Sequence, residues 1–355
     1  MRKNSKRKPS LAAIARACGV ASMTVSRALR QDPRVQEDTR RQILAAAGKM
    51  GYQPSGRYGR PRVSTDKVRT PVDVVLGVSM AAGNLFYSQL LISIEQALAQ
   101  RGCDCVIRTG NQDYDGFLRL CETLRESKAV ATLLVGFFPV MQLQTLLQIL
   151  PRALLVDHSG DPRLDCPYEF VALDNVEAAR LAVRHLLGLG RRRILLMTGG
   201  KDHYFSRDIE QGWREILQSH DLPALPELIC RADFTADGAR SLLLQIMEHG
   251  MSFDAVFSND EMGVGILRAL HEKGKRVPDD VAVAGCDGLP VGRHTIPALT
   301  TVELDYRQLG QVAVERALAE RPENAPPCRL RLVPQLVIRE SSGGGGGKLE
   351  KENER

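Results

Sequence analysis

Residues 10–29 read SLAAIARACGVASMTVSRAL. Leu11, Ile14 and Ala15 recur at helical spacing and make one apolar face, and Val25, Ala28 and Leu29 make a second. Gly19 breaks the pattern between them, and Val20 follows as a plug for the core. Helix, glycine-containing turn, helix is the pattern of a helix-turn-helix. The second helix of such a unit lies in the DNA major groove with its first residues toward the base edges. A third helix at Glu37–Lys49 brings Ile43, Leu44 and Ala47 to close the core. Residues 10–55 are therefore predicted to be a small all-α domain.

Charge supports a polyanion at this end. Residues 1–70 carry 17 Lys/Arg against 4 Asp/Glu, whereas the rest carries 31 against 38. Residues 1–9 read as a basic, disordered arm. The first thirty residues lack the apolar core of a signal peptide, and no apolar run is long enough to span a bilayer. Cys18, Cys103, Cys105, Cys121, Cys166, Cys230, Cys286 and Cys328 are scattered without CxxC or zinc spacing. They read as reduced residues of a cytoplasmic protein, with no metal and no cofactor.

Beyond residue 72 the period changes. Apolar runs such as VVLGV (74–78), ATLLVG (131–136), ILLMT (194–198) and VAVAG (281–285) alternate with amphipathic segments of ten to fifteen residues. That alternation means βαβ units and parallel sheets. The strands are too many for one comfortable sheet, so two lobes are expected. Five glycines and a charged run make residues 342–355 a disordered tail. No GxSxG elbow, Walker loop or HExxH is present, the seven histidines are dispersed, and Gly199-Gly200 reads as a turn, so an enzyme is not expected.

The segment AIARACGVASMTVSRAL, then PRVQEDTRRQILAAAGKMGYQP, resembles the N-terminal domain of the lactose/galactose repressor family over Ser10–Pro54. The resemblance implies that Ser22, Met23 and Arg27 read bases. Arg27 would pair with guanine, and Met23 would meet apolar edges such as a thymine methyl. It implies that Ser10, Thr24, Ser26 and Thr39 hold phosphates. Ala21 stands where the family usually has a serine cap, so Ser22 is expected to take that role, starting the helix one residue later.

The linker, residues 56–72, departs from the family. A short minor-groove helix is usual there, but Gly56, Gly59 and Pro61 oppose one. Arg57, Arg60 and Arg62 instead flank Gly-Arg-Pro, similar to the hook of AT-rich DNA binders. A groove-binding hook and a flexible basic linker both fit this stretch.

The resemblance continues over about Val74–Ser341, through FDAVFSNDEMGVGILRAL, RVPDDVAVAGCDG and PALTTVELDYRQLG. It implies a sensor like a periplasmic binding protein over residues 73–341. One lobe would hold about 73–189 and 306–333, the other 190–305 and 334–341, with a small-molecule effector between them. Phe86, Glu177, Phe234, Asn259, Asp287 and Tyr306 would line that cleft by position. Phe234 and Tyr306 would stack on a polar ring, and Asn259 and Asp287 would bind its hydroxyls or amines; Asn259-Asp260 also fits a helix cap. The family's ligand-clamping Arg is Ile209 here, and Arg207 is the expected substitute. Gly288 stands where a second Asp is common.

Together these imply a ligand-responsive regulator, by family default a repressor, bound as a homodimer to a pseudo-palindromic double-stranded operator. Half-sites would lie about 34–36 Å apart. No apolar heptads for tetramers occur in the tail. The alternative is a ligand-independent architectural DNA binder that uses the AT-rich minor-groove hook.

Overall fold

The computed structural model describes residues 10–29, 35–50, 52, 69–77, 85–109, 113–320, 322 and 325–343. The chain divides into two units, 1–68 and 69–355. Arg57, Arg60 and Arg62 lie outside the described residues, as do residues 1–9 and 344–355; Ser342, expected to open the disordered tail, is instead buried and hydrogen-bonded to Thr300 at 2.7 Å.

The first unit has α1 (Leu11–Cys18), α2 (Ser22–Leu29) and α3 (Glu37–Lys49). Ser10 caps α1, its side chain accepting the Ala13 N–H at 3.3 Å. Gly19 closes α1 at φ 65°, a left-handed position that glycine adopts without a Cβ penalty. Ile14, Ala15, Val25, Ala28, Val35, Ile43 and Ala47 form the buried core. Leu44 does not join it and is 48% exposed. Ile43 and Ala47 are one helical turn apart and face inward, which turns Leu44 outward.

The expected shift of the α2 cap does not occur. The Ala21 carbonyl accepts the Thr24 and Val25 N–H groups at 2.9 and 3.2 Å, so Ala21 keeps the cap position and Ser22 opens the helix. Burial of Val25 and Ala28, with Val20 packed beside them, fixes where α2 begins, and this outweighs side-chain preference at the cap. An alanine there offers no oxygen to the free N–H groups of the first turn. Ala21→Ser should therefore stabilise this unit by about 1 kcal/mol. Chemical denaturation checks it; an unchanged midpoint would mean that water already satisfies those groups.

The second unit opens with β1 (Thr70–Leu76), α4 (Leu85–Gln100), β2 (Cys103–Thr109), α5 (Tyr114–Arg125), β3 (Ala131–Val135), α6 (Val140–Ile149), β4 (Leu154–Val156) and β5 (Glu169–Leu173). It continues with α7 (Asn175–Gly188), β6 (Ile194–Thr198), α8 (Tyr204–Ser219), β7 (Ile229–Arg231), α9 (Ala236–Glu248), β8 (Ala255–Phe257), α10 (Asp260–Glu272) and β9 (Ala282–Asp287). It ends with β10 (Thr300–Glu303), α11 (Tyr306–Leu318), β11 (Arg329–Leu332) and β12 (Gln335–Val337). One sheet runs β11-β5-β4-β3-β1-β2 and is parallel throughout. The other runs β12-β10-β9-β8-β6-β7, parallel except where β12 meets β10.

The chain passes between the sheets after β5, after β10 and between β11 and β12. Helix α7 packs on α8 and on β9, β10 and β12, so it belongs to the second lobe. The lobe boundary expected near residue 189 therefore falls before α7, at 174. Gly212 is the point of closest approach: a Cβ there would lie 2.3 Å from the Val176 carbonyl oxygen. Trp213, fully buried next to it, donates to the Ile194 carbonyl at 3.2 Å. In both sheets the strand C-termini open toward one cleft, the usual ligand position in open α/β folds.

Candidate functional site

On α2, Ser22, Met23, Ser26 and Arg27 fall in a sector of about 140° opposite the buried Val25 and Ala28. Ser22, Met23 and Arg27 are exposed, Met23 by 64%, while Thr24 and Ser26 are half-buried. Thr39 is half-buried in the first turn of α3.

In the cleft, backbone strain marks the centre. Among the described residues four non-glycine positions have positive φ, and three of them are Asp157 (54°), Phe234 (65°) and Asp287 (121°). Such conformations cost free energy and persist where the surroundings impose them, commonly at binding sites. Asp157 follows β4 in the first lobe, and Asp287 ends β9 in the second. Both are buried, at 3% and 6% exposure, and neither forms an ion pair with a described residue.

The groups around them are joined across the lobes. Tyr204 donates to Asp157 at 2.7 Å, and its hydroxyl lies 3.3 Å from that of Tyr87. The Tyr87 ring meets Phe86 edge-on at 5.0 Å, and Phe86 meets Tyr306 at 5.1 Å. Tyr306 donates to the Asp287 carbonyl. Asn259 caps α10, its Oδ1 accepting the Met262 N–H at 3.0 Å, so the cap reading holds. Asp260, fully buried, accepts from Leu289 N–H at 2.7 Å and Thr301 Oγ1 at 2.6 Å and thereby fixes the loop after Asp287. Gly199 makes room for Phe234, whose ring would lie 2.1 Å from a Cβ there.

Phe86, Phe234, Asn259, Asp287 and Tyr306 thus share the cleft, and Glu177 does not. Its carboxylate pairs with Arg180 at 3.1 Å and Arg184 at 4.0 Å on α7, and Arg180 continues to Glu215 on α8. A carboxylate in the first turn of a helix is favoured by the helix dipole and by such i,i+3 pairs, which accounts for it without a ligand. Arg207 reaches the cleft edge but is held there: it donates to Asp161 at 2.5 Å and to the Gly160 carbonyl at 2.9 Å. Asp157, Tyr204, Tyr87 and Asp260 are additional members that the sequence reading missed. An acid ending an apolar strand run was the available signal for Asp157, as it was for Asp287.

Burial pushes the Asp157 carboxyl up to about 7, opposed by the Tyr204 hydrogen bond and aided by Asp208. Burial likewise raises Asp260 to about 7, and it raises Asp287 well above the carboxylate range with Asp260 and Asp157 adding to it. Between about pH 4 and 7 the folded protein keeps a proton on Asp157 that the unfolded chain has released. That group's contribution is therefore greatest below pH 4 and is lost as pH rises toward 7. Relative to wild type, Asp157→Asn should gain roughly 1 kcal/mol of stability per pH unit over that window and level off above it. Urea titrations at pH 5 and pH 8 test this; parallel pH curves would show Asp157 ionised throughout.

Residues 10–55 match the family described as bacterial regulatory proteins, lacI family, and residues 183–342 match the periplasmic binding protein-like domain. The chain is 32% identical over 348 residues to the HTH-type transcriptional regulator CelR of Thermobifida fusca, covering 95% of this chain and 99% of that protein. The chain belongs to the lacI family. This lacI-family protein is also 27% identical over 336 residues to the ribose operon repressor of Halalkalibacterium halodurans, covering 94% and 96% of the two chains. A structure of the transcriptional regulator CelR–cellobiose complex superposes on it with a TM-score of 0.67 at 28% identity, over 94% of this chain and 99% of that one. The lac repressor dimer bound to operator and the anti-inducer ONPF shares the fold, with a TM-score of 0.68 at 24% identity over 95% and 99%. This lacI-family chain is a sequence-specific DNA-binding transcription regulator, and its relatives are regulators rather than enzymes. Among its described residues no helix is long and apolar enough to cross a membrane.

Proposed function

We propose that the protein is a homodimeric repressor whose operator affinity is set by a sugar held between the sensor lobes. The observation that carries this is the pair of buried carboxyl groups, Asp157 and Asp287, at strand ends of opposite lobes, with the Phe86–Tyr306 ring pair beside Asp287. Carboxyl groups exchange hydrogen bonds with sugar hydroxyls in either protonation state, and aromatic faces cover the apolar side of the ring. The CelR–cellobiose complex supports a sugar as the ligand class. Ser22, Met23 and Arg27 read bases, while Ser10, Thr24, Ser26 and Thr39 anchor phosphates. Exposed Ile92 and Val333, which border one groove with Gln89 and Gln96, suit a dimer face.

A sugar that draws the lobes together changes the reader spacing, and DNA must then change sugar affinity by the same factor. Operator-binding isotherms with and without a panel of hexoses, pentoses and disaccharides test the reading. At least one sugar should shift the operator Kd 5-fold or more, a coupling of about 1 kcal/mol or above. Isotherms that superpose for every sugar would overturn it.

A further inference from the structure

One lip of the cleft is fastened by charge. Asp161 and Arg163 sit on the loop after β4 in the first lobe, and Asp202 and Arg207 bracket the start of α8 in the second. Arg207 donates to Asp161 at 2.5 Å and to the Gly160 carbonyl at 2.9 Å. Arg163 donates to both oxygens of Asp161 at 2.9 Å and reaches Asp202 at 3.5 Å. Asp202, Arg163, Asp161 and Arg207 thus form a chain of alternating sign that crosses from lobe to lobe at each end. The Asp161 side chain is 7% exposed. Hydrogen bonds from Arg163, with Arg207 adding to them, hold that carboxyl well below the usual carboxylate range, so it is ionised at neutral pH.

Each end of the chain is rooted in its own lobe. Leu164, Cys166 and Tyr168 pack the loop onto the core that α5 and α6 cover in the first lobe. The Asp165 N–H donates to Gln144 of α6 at 2.9 Å. In the second lobe Thr198, at the end of β6, donates to Ser206 at 3.2 Å, and Ile209 and Trp213 are buried. Neither side can follow the other if the lobes part, so separation must break the ion pairs. It must also break the Tyr204–Asp157 hydrogen bond and separate His203 from Phe137, whose rings stack at 4.7 Å. Burial lowers His203 to about 4, so at neutral pH it meets Phe137 as an uncharged ring.

An isolated exposed ion pair contributes little, because two long side chains must be ordered to make it. This chain differs: Arg163 grips Asp161 in bidentate fashion within one loop, so the acceptor is already in place when Arg207 arrives. All of these ties are made by the protein's own side chains, so closure at this lip needs no effector.

We propose that the Asp202–Arg163–Asp161–Arg207 chain is a latch that holds the sensor lobes closed in the protein alone, with Arg207 as a positioning residue for closure. This goes beyond the sugar reading and does not depend on it. A sugar that favours the closed form finds part of the closing already done. The latch therefore raises sugar affinity and limits how far a sugar can shift operator binding.

Hydrogen exchange of the full-length protein, with no sugar added, tests the latch. The informative segment is 284–290 at the end of β9, a strand separated from β6 by β8 and so remote from α8. Arg207→Ala leaves Asp161 paired with Arg163, so the loop keeps its shape. Exchange should quicken about 5-fold or more in 157–168 and 202–209 and also in 284–290, because opening wets the whole cleft. Asp202→Ala, at an exposed position that folding tolerates, should give a smaller rise over the same segments. Salt raised to about 1 M should loosen them in the wild-type protein, and the double variant should no longer respond. No sugar enters the measurement, so failure of the latch leaves the operator isotherms as the separate test of the ligand. Faster exchange confined to 157–168 and 202–209 would make Arg207 a local tie of the loop and overturn the latch, as would unchanged exchange in all three segments.

Discussion

Asp287→Ala lowers sugar affinity about 100-fold or more, while the ligand-free protein melts no lower than wild type. The two halves of this result have one cause. Asp287 is a buried carboxyl with φ at 121°, and no described residue pairs a cation with it. Removing such a group relieves desolvation, so stability holds or rises by on the order of 1 kcal/mol. A ligand that shares two hydrogen bonds with this buried carboxyl loses about 0.5–1.5 kcal/mol for each and leaves its own buried hydroxyls unpaired at about 1–3 kcal/mol more, which together give the affinity loss. Operator affinity without sugar stays at the wild-type value, because the first unit carries a hydrophobic core of its own. Calorimetry with the responsive sugar, thermal melts and operator isotherms together check the result. A lower melting point with sugar affinity retained would make Asp287 a structural residue.

Arg27→Ala should weaken binding to the cognate operator by about 1–3 kcal/mol and leave non-specific DNA almost unaffected. Arg27 is exposed on the same sector of α2 as Ser22 and Met23, away from the core residues Val25 and Ala28, so its truncation does not disturb folding. A guanidinium that spans guanine O6 and N7 distinguishes one base pair, and the variant should tolerate substitutions at that pair alone. Competition with a set of single-base operator variants reads this directly. Equal loss on every sequence, with a shallower salt dependence, would assign Arg27 to a phosphate.

The helical reader was legible because two short apolar faces and Gly19 leave little freedom, and α1, α2 and α3 fall where the periodicity places them. Leu44 and the α2 cap were not legible. Each depends on which face tertiary packing selects, and the apolar count alone does not decide that. In the sensor, long apolar runs such as ILLMT correspond to strands, whereas β7, with three residues and little burial, has no run to announce it. The amphipathic pattern of α7 was clear, but amphipathicity shows that a helix has a buried face, not which sheet it covers. The same limit explains Glu177, placed by position alone and found in an ion-pair network. Tyr204 escaped because it precedes the apolar stripe of α8, yet the helix begins there and carries the hydroxyl to Asp157. Asn259 and Asp287 were placed by the resemblance; in the structure Asn259 caps α10 and Asp287 ends β9.

The account stands most directly on selection of bound sequences from a random DNA pool by the purified full-length protein, at fixed near-physiological salt. It predicts a pseudo-palindromic consensus whose half-sites lie about one helical turn apart, each with a guanine at the Arg27 position. Recovery of no consensus, with binding that vanishes as salt rises, would mean charge attraction alone and would contradict a sequence-reading dimer.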